Sequence, residues 1–369
     1  MTFNRSRVKV GRALVGLTQR ELADRISVAA SVVGEIESGT REPRGSALDA
    51  LALVLEVEPE FFFEDDLVEL REEHSNFRSR ISASERLKKQ VLARASLFAT
   101  LLRHVRPMVP VFPAFDVPII RPRSLDDVER VAADARRHWG LDPDAPLGTM
   151  VMRLIERAGV VPMSIDCETA EKIDAFSSYG DINLVVLNSE KGSVTRTTFD
   201  AAHELAHGIM HRDCQTPFDR KEEEAHRFAS ALLLPATAFS EEFSYESRTD
   251  WSYLLELKAR WGVSLASIIF RAFQLQLIDV VTYRNRWRDL SRRAWRKAEP
   301  DEPEPVNPQL LSDTLVEWRK ATKRSLLDLV DELRWTPTLF NKVTGIVLPK
   351  QTMDGVLSIE PHLRRVAGS

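Results

Sequence analysis

The chain has 369 residues, 43 % hydrophobic, with 51 Lys and Arg against 55 Asp and Glu. That length suits two or three domains with packed cores, and a net charge of −4 excludes bulk coating of nucleic acid. Only two cysteines (Cys167 and Cys214), no apolar run of membrane-spanning length and an Arg-rich start unlike a signal peptide exclude a disulfide scaffold and lead us to expect a cytoplasmic protein with no membrane contact.

Residues 8–63 carry a helix-turn-helix pattern. Val10, Ala13, Leu14 and Leu17 recur at helical spacing. Thr18 is placed to cap the next helix, and Glu21 completes a capping box three residues on. Leu22, Ala23 and Ile26 face the core, followed by Val28, Val32 or Val33, and Ile36. Gly39 is a C-cap for the second helix of the pair. Leu48, Leu51, Ala52, Leu55 and Phe61–Phe63 supply the remaining helices.

In pattern and spacing this segment resembles the XRE, or lambda-repressor-like, family over roughly 55 residues. The resemblance implies that double-stranded DNA is read in the major groove. Carried over by position, Gln19, Ala30, Ser31 and Gly34 face the DNA, and Arg41 and Arg44 lie near phosphates. Base readout favours Arg, Lys, Asn or Gln, and Ala29–Gly34 has none of them. Residues 1–45 hold eight Lys and Arg against five Asp and Glu, a mildly basic balance. The competing reading is a module that docks another repressor or dimerises.

Residues 64–106 are charged. Leu87, Val91, Leu92, Ala95, Phe98, Leu101 and Leu102 predict an amphipathic helix over about 83–105. Its stripe is expected to pack on the following domain or on a second copy of the chain, which would make a homodimer. Five prolines from Pro107 to Pro122 predict an extended connector. The next domain is expected to begin at Ser124, with helices at about 125–139 and 147–158 and strands at 160–165, 173–178 and 182–188. The last strand is read as an edge that could align a peptide backbone by β-addition.

His203-Glu204-Leu205-Ala206-His207 is an H-E-x-x-H pentad. Residues four apart on a helix lie nearly above one another, so both imidazoles address one point. Two such histidines can hold Zn2+ while the glutamate stands by as general base. Thr197 or Thr198 can cap this helix, and Phe199, Ala202, Leu205, Ala206 and Ile209 give it an apolar side. The bland alternative is a surface helix with incidental histidines.

A third ligand must come from downstream. Met210 and Asp213 stand where a Gly-turn zincin would have Gly and His, which leaves a glutamate on a second helix. Ala225, Phe228, Ala229 and Leu232 form an apolar stripe ending at Pro235, and Glu224 and Glu222 both border it. Glu224 is favoured, with Glu222 as the alternative, while Glu223 points away into a solvated first turn. An oxyanion partner is sought among Tyr179, His211 and His226.

Ile182–Asn188, Thr198–His207 and Glu222–Pro235 together resemble the ImmA/IrrE metallopeptidases. The resemblance implies a gluzincin that cleaves a repressor protein and so turns on stress or mobile-element genes. It carries zinc ligation onto His203 and His207, catalysis onto Glu204, and the third ligand onto the Glu222/Glu224 segment. Ala206 and His226 depart from residues frequent in the family, Gly and Asn. Leu257-Lys258, Arg260-Trp261, Val263-Ser264 and Arg271-Ala272 resemble its longer members.

Beyond Pro235 the pattern stays helical. Tyr283–Lys297 holds seven Arg and Lys with Trp287 and Trp295. This reads as a solvated helix face with Trp in the core, in preference to a nucleic-acid surface. Asp301–Pro308 reads as an acidic linker. The tail echoes the first module at a shift of 307 residues, aligning Thr18 with Ser325, Leu22 with Leu329, Ala23 with Val330, Ile26 with Leu333, Val28 with Trp335 and Ile36 with Val343. With only Lys342 basic on its second helix, it reads as a protein-interaction module, against a plain two-helix unit.

The expected fold is mainly α and multidomain: an all-α helix-turn-helix bundle at 1–63, a helical linker and connector at 64–123, an α+β gluzincin-like domain with a small sheet at 124–300, and a helical module at 301–369. The expected function is that of a zinc endopeptidase and transcription regulator whose substrate is a repressor or antitoxin with its own helix-turn-helix. The alternative is a DNA-binding repressor or antitoxin whose peptidase fold only senses.

Overall fold

The structure is a computed structural model, and it describes residues 2–70, 78–79, 84–165, 173–188, 192–243, 250–296 and 298–348. The chain forms two compact units. The described residues of Met1–Arg71, Ser84–Val111 and Ser312–Ser369 make one, and those of Glu72–Ala83 and Phe112–Leu311 make the other. By contacts, the amphipathic helix and the C-terminal helices group with the N-terminal bundle, whereas the sequence divides the chain at 63, 123 and 300.

That bundle begins with α1 (Arg5–Leu14), α2 (Gln19–Arg25), α3 (Ala30–Ser38) and α4 (Ser46–Leu55). Thr18 and Glu21 form the capping box of α2, and Gly39 ends α3 in the left-handed region at φ 84°. Leu22, Val33, Ile36, Leu51 and Leu55 are buried between these helices. The amphipathic helix is α5 (Glu85–Val105), which packs against α1. Its stripe is satisfied within this unit.

In the second unit, α6 (Val128–His138) and α7 (Val151–Arg157) precede a sheet of order β1-β3-β4-β2: β1 (Arg78–Ser79), β2 (Val161–Ile165), β3 (Ile173–Ser178) and β4 (Leu184–Asn188). β2 runs parallel to β4, and β3 runs antiparallel to both β4 and β1. The three expected strands are present, but β4 lies inside the sheet and is no edge. Both of its faces are buried, which accounts for its unbroken apolar run. The outer side of β3 carries Arg78–Ser79, with Arg78 opposite Ala175.

One helix, α8 (Val194–Ala206), packs beneath β3 and β4, and a second, α9 (Phe218–Leu233), packs against it. Ala201, Ala202, Leu205 and Ala206 of the first and Ala225, Phe228, Ala229 and Leu232 of the second are buried in one core. Alanines at the contact let the helices approach closely. Ser193, in place of Thr197 or Thr198, caps α8, its side chain accepting from Arg196 N. Two buried arginines hold the far end of α9. Arg136 donates to the carbonyl of Leu232, and Arg271 donates to that of Leu234 and, through both Nη atoms, to Glu129 at 2.6 and 2.8 Å.

The remaining helices of this unit are α10 (Ala236–Glu242), α11 (Trp251–Trp261), α12 (Leu265–Gln274) and α13 (Val280–Arg292). Trp287 and Trp295 pack on the core, while Arg286 and Arg293 lie over the ring of Trp251. Arg284, Arg288, Arg292 and Arg296 stay exposed, as the reading of a solvated face with Trp in the core expects. The expected linker at Asp301–Pro308 is also corrected: Glu302 accepts from buried Lys258 at 2.7 Å and from Thr195 N at 3.0 Å in the first turn of α8. Glu299 accepts from Lys258 and from Leu265 N at the start of α12. The Pro-rich connector likewise joins the body, where Ile120 N donates to Ile209 O.

The chain then returns to the first unit through α14 (Leu310–Thr322), α15 (Leu326–Glu332) and α16 (Pro337–Thr344). The bounds of α15 repeat those of α2 at the 307-residue shift. Ser325 forms a capping box like that of Thr18, and Arg334 takes φ 57° as Ser27 does. The turn before α16 meets the first bundle: Trp335 bridges Val57, and Thr336 Oγ1 donates to Glu56 O at 2.9 Å.

Candidate metal centre and helix-turn-helix surface

α8 carries His203 and Glu204 and runs into a π-helical turn, His207–His211. Such turns free backbone groups and often occur where function needs an unusual side-chain register. Here Ile120 N takes the carbonyl of Ile209, and Arg121 donates to those of Met210 and Arg212. Gly208 is required by close approach, since a Cβ there would lie 2.4 Å from Cζ of Tyr179.

His203, Glu204 and His207 are all buried, with their donor atoms within 4.8 Å of one another. The two Nε2 atoms are 3.2 Å apart. Of the two acidic candidates on α9, Glu222 reaches them: Oε1 is 3.3 Å from Nε2 of His207 and Oε2 is 3.5 Å from Nε2 of His203. Glu224, the favoured reading of the sequence, is turned elsewhere. Its Oε2 lies 3.1 Å from Nε2 of His211 and its Oε1 accepts from Arg220 at 2.7 Å. The two glutamates are separated by roughly 200° around the helix, so packing against α8 selects one of them. Glu222, the alternative of the sequence reading, and not the favoured Glu224, is the acidic side chain beside the two imidazoles.

These distances test whether a metal fits. Ligands at about 2.0–2.1 Å in a tetrahedron stand about 3.3–3.4 Å from each other, close to the three separations observed here. Protonation fits as well, because ligands must be deprotonated. Burial pushes His207 down to about 4, against the raising effect of its hydrogen bond with Glu222. Burial alone would raise the Glu222 carboxyl, but the hydrogen bonds with His203 and His207 hold it well below the usual carboxylate range.

Glu204 is held by Ser177, which gives no signal in the sequence, and by Tyr179, which the sequence offers in a different role. Ser177, fully buried on β3, donates to Glu204 Oε2 at 2.7 Å, and Tyr179 donates to the Glu204 carbonyl at 2.9 Å. Burial, then the charge of Glu204, raises the Tyr179 phenol above its ordinary range. Of the oxyanion candidates, Tyr179 spends its proton on that carbonyl and His211 is joined to His207 and Glu224. His226 sits between the rings of Phe199 and Phe270.

On the N-terminal bundle, Ala30, Ser31, Arg41 and Arg44 are exposed, while Gly34 is half-buried. Gln19 donates to Glu37 at 2.7 Å, and Glu37 also takes Arg12 at 2.6 and 3.0 Å. This network ties α1, α2 and α3 together and commits the Gln19 amide donor. Arg41 lies 3.5 Å from Glu35 and Arg44 4.0 Å from Glu42, both weak exposed pairs.

A helix with an H-E-x-x-H pentad, packed beneath a small sheet and facing a second helix that supplies a carboxylate, defines a metallopeptidase-like domain. Residues 156–273 match the family described as IrrE N-terminal-like domain, and residues 8–62 match the helix-turn-helix family. No curated protein matches the chain. The chain thus joins a helix-turn-helix domain to a protease-like domain whose residues point to a metal. Among the described residues no helix is long and apolar enough to cross a membrane.

Proposed function

We propose that the chain is a zinc-dependent endopeptidase and transcription regulator, and that its substrate is a repressor or antitoxin protein carrying a helix-turn-helix. The observation that carries this reading is the buried triangle of His203, His207 and Glu222 donor atoms at 3.2, 3.3 and 3.5 Å, with Glu204 beside it. Two imidazoles and one carboxylate are a zinc donor set with an open fourth position. Bound there, zinc supplies Lewis acidity that polarises a peptide carbonyl and lowers the pKa of water.

The residues divide the remaining work. Glu204 takes a proton from the attacking water as its oxygen bonds to the carbonyl carbon, then passes that proton to the amine nitrogen as the C–N bond breaks. Ser177 fixes the Glu204 carboxylate through Oε2. The helix-turn-helix domain brings the enzyme to double-stranded DNA, with Ser31 and Ala30 on the exposed face of α3 and Arg41 and Arg44 at phosphates.

The test combines metal content with cleavage. Elemental analysis of the purified chain should find about one zinc per molecule, lost in His207→Ala and Glu222→Ala. Zinc-loaded chain, incubated with a panel of purified helix-turn-helix repressors, should cut one that Glu204→Gln leaves whole. Zinc without cleavage in any condition would favour the sensing repressor; zinc absent even after reconstitution would end the enzyme reading.

A further inference from the structure

A chain of hydrogen bonds leads away from the proposed zinc site through His211 and Glu224 to Arg220. His207 Nδ1 lies 2.9 Å from His211 Nδ1, His211 Nε2 lies 3.1 Å from Glu224 Oε2, and Glu224 Oε1 accepts from Arg220 Nε at 2.7 Å. His207, His211 and Glu224 are each at most 4 % exposed. The π-helical turn places the His211 ring beside that of His207, tilted by 53° with centroids 5.0 Å apart.

We propose that His211 and Glu224 are positioning residues that hold His207 in the tautomer needed for metal binding. This rests on the zinc reading above. A histidine that gives its Nε2 lone pair to a metal carries its proton on Nδ1. Among the described residues, Nδ1 of His211 is placed to accept that proton. His211 must then carry its own proton on Nε2, and donates it to Glu224. Arg220 donates to the other oxygen of Glu224. Each donor meets an acceptor, and the direction of the whole chain is set by the metal at one end and the guanidinium at the other.

The usual support for a metal-bound histidine is a single carboxylate or carbonyl. This chain inserts a second imidazole, which explains why Glu224 lies on the packed face of α9 without reaching the metal position. His203 lacks this support, for its Nδ1 has no hydrogen-bond partner among the described residues. The orientation of the pair is therefore set from the His207 side.

Zinc affinity measured by competition with a chromophoric chelator tests this, alongside the thermal midpoint of each metal-free protein as a check on folding. Glu224→Gln and His211→Phe should weaken zinc binding by about 10–100-fold while still taking up one zinc at saturation. His211→Gln, whose amide oxygen can accept from His207 Nδ1, should recover a large part of the loss. A purely structural role would lower the metal-free midpoint and give no such rescue. Wild-type affinity in both Glu224→Gln and His211→Phe would overturn the relay and leave the zinc site standing. Complete loss of zinc in Glu224→Gln with retention in Glu222→Ala would overturn it by making Glu224 the ligand. No zinc in the wild type would overturn the site itself, and the relay with it.

Discussion

Ser177 Oγ stands 2.7 Å from Oε2 of Glu204, so a strand residue controls the aim of the carboxylate in the pentad. Both groups are buried, and a hydrogen bond to a charged acceptor there contributes about 1.5–3 kcal/mol. Ser177→Ala should keep the metal yet cut turnover by about tenfold or more. Metal content and single-turnover cleavage, measured on the same preparation, separate the two effects.

Gly208 and Tyr179 are in contact that leaves no room for a methyl group. Gly208→Ala should destabilise the second unit by about 1–3 kcal/mol through overpacking. The cost should shrink when Tyr179 is first changed to Leu, giving a favourable coupling in a double-mutant cycle. Equal costs in both backgrounds would place the strain elsewhere.

Acid stability should report Glu302. Burial alone would raise its carboxyl, but the hydrogen bonds from Lys258 and Thr195 outweigh that and lower it. A lowered folded value means that the stabilisation is present above the unfolded value of about 4.5 and is lost as the pH falls through the folded one. Glu302→Gln should therefore lower the melting temperature at pH 7. It should also lessen the further loss seen in the wild type below about pH 4.5, as a calorimetric pH series would show.

Arg41→Ala and Arg44→Ala should weaken binding to all DNA sequences alike. Each should reduce the slope of log affinity against log salt by about one. A change confined to one sequence would mean that these arginines read bases.

The pentad helix and the capping box at Thr18 were legible because local spacing alone determines them. The strand at 184–188 was legible from its apolar run. The choice between Glu222 and Glu224 was not, because both border the same stripe and only the rotation of α9 against α8 separates them. Ser177 gave no sign, since a serine within a strand has no spacing signature. Glu302 was hidden by composition: an acidic Pro-rich run reads the same whether it is solvated or folded back onto a buried lysine.

The helix-turn-helix unit is assembled from both ends of the chain, and Thr336 meets Glu56 across 280 positions of sequence. A ribosome that has just emitted residue 311 has released every segment of the protease-like body but still holds back the last helices of the other unit. Contacts so distant along the sequence close late. In each newly made molecule the protease-like unit is therefore complete before the unit that carries α3.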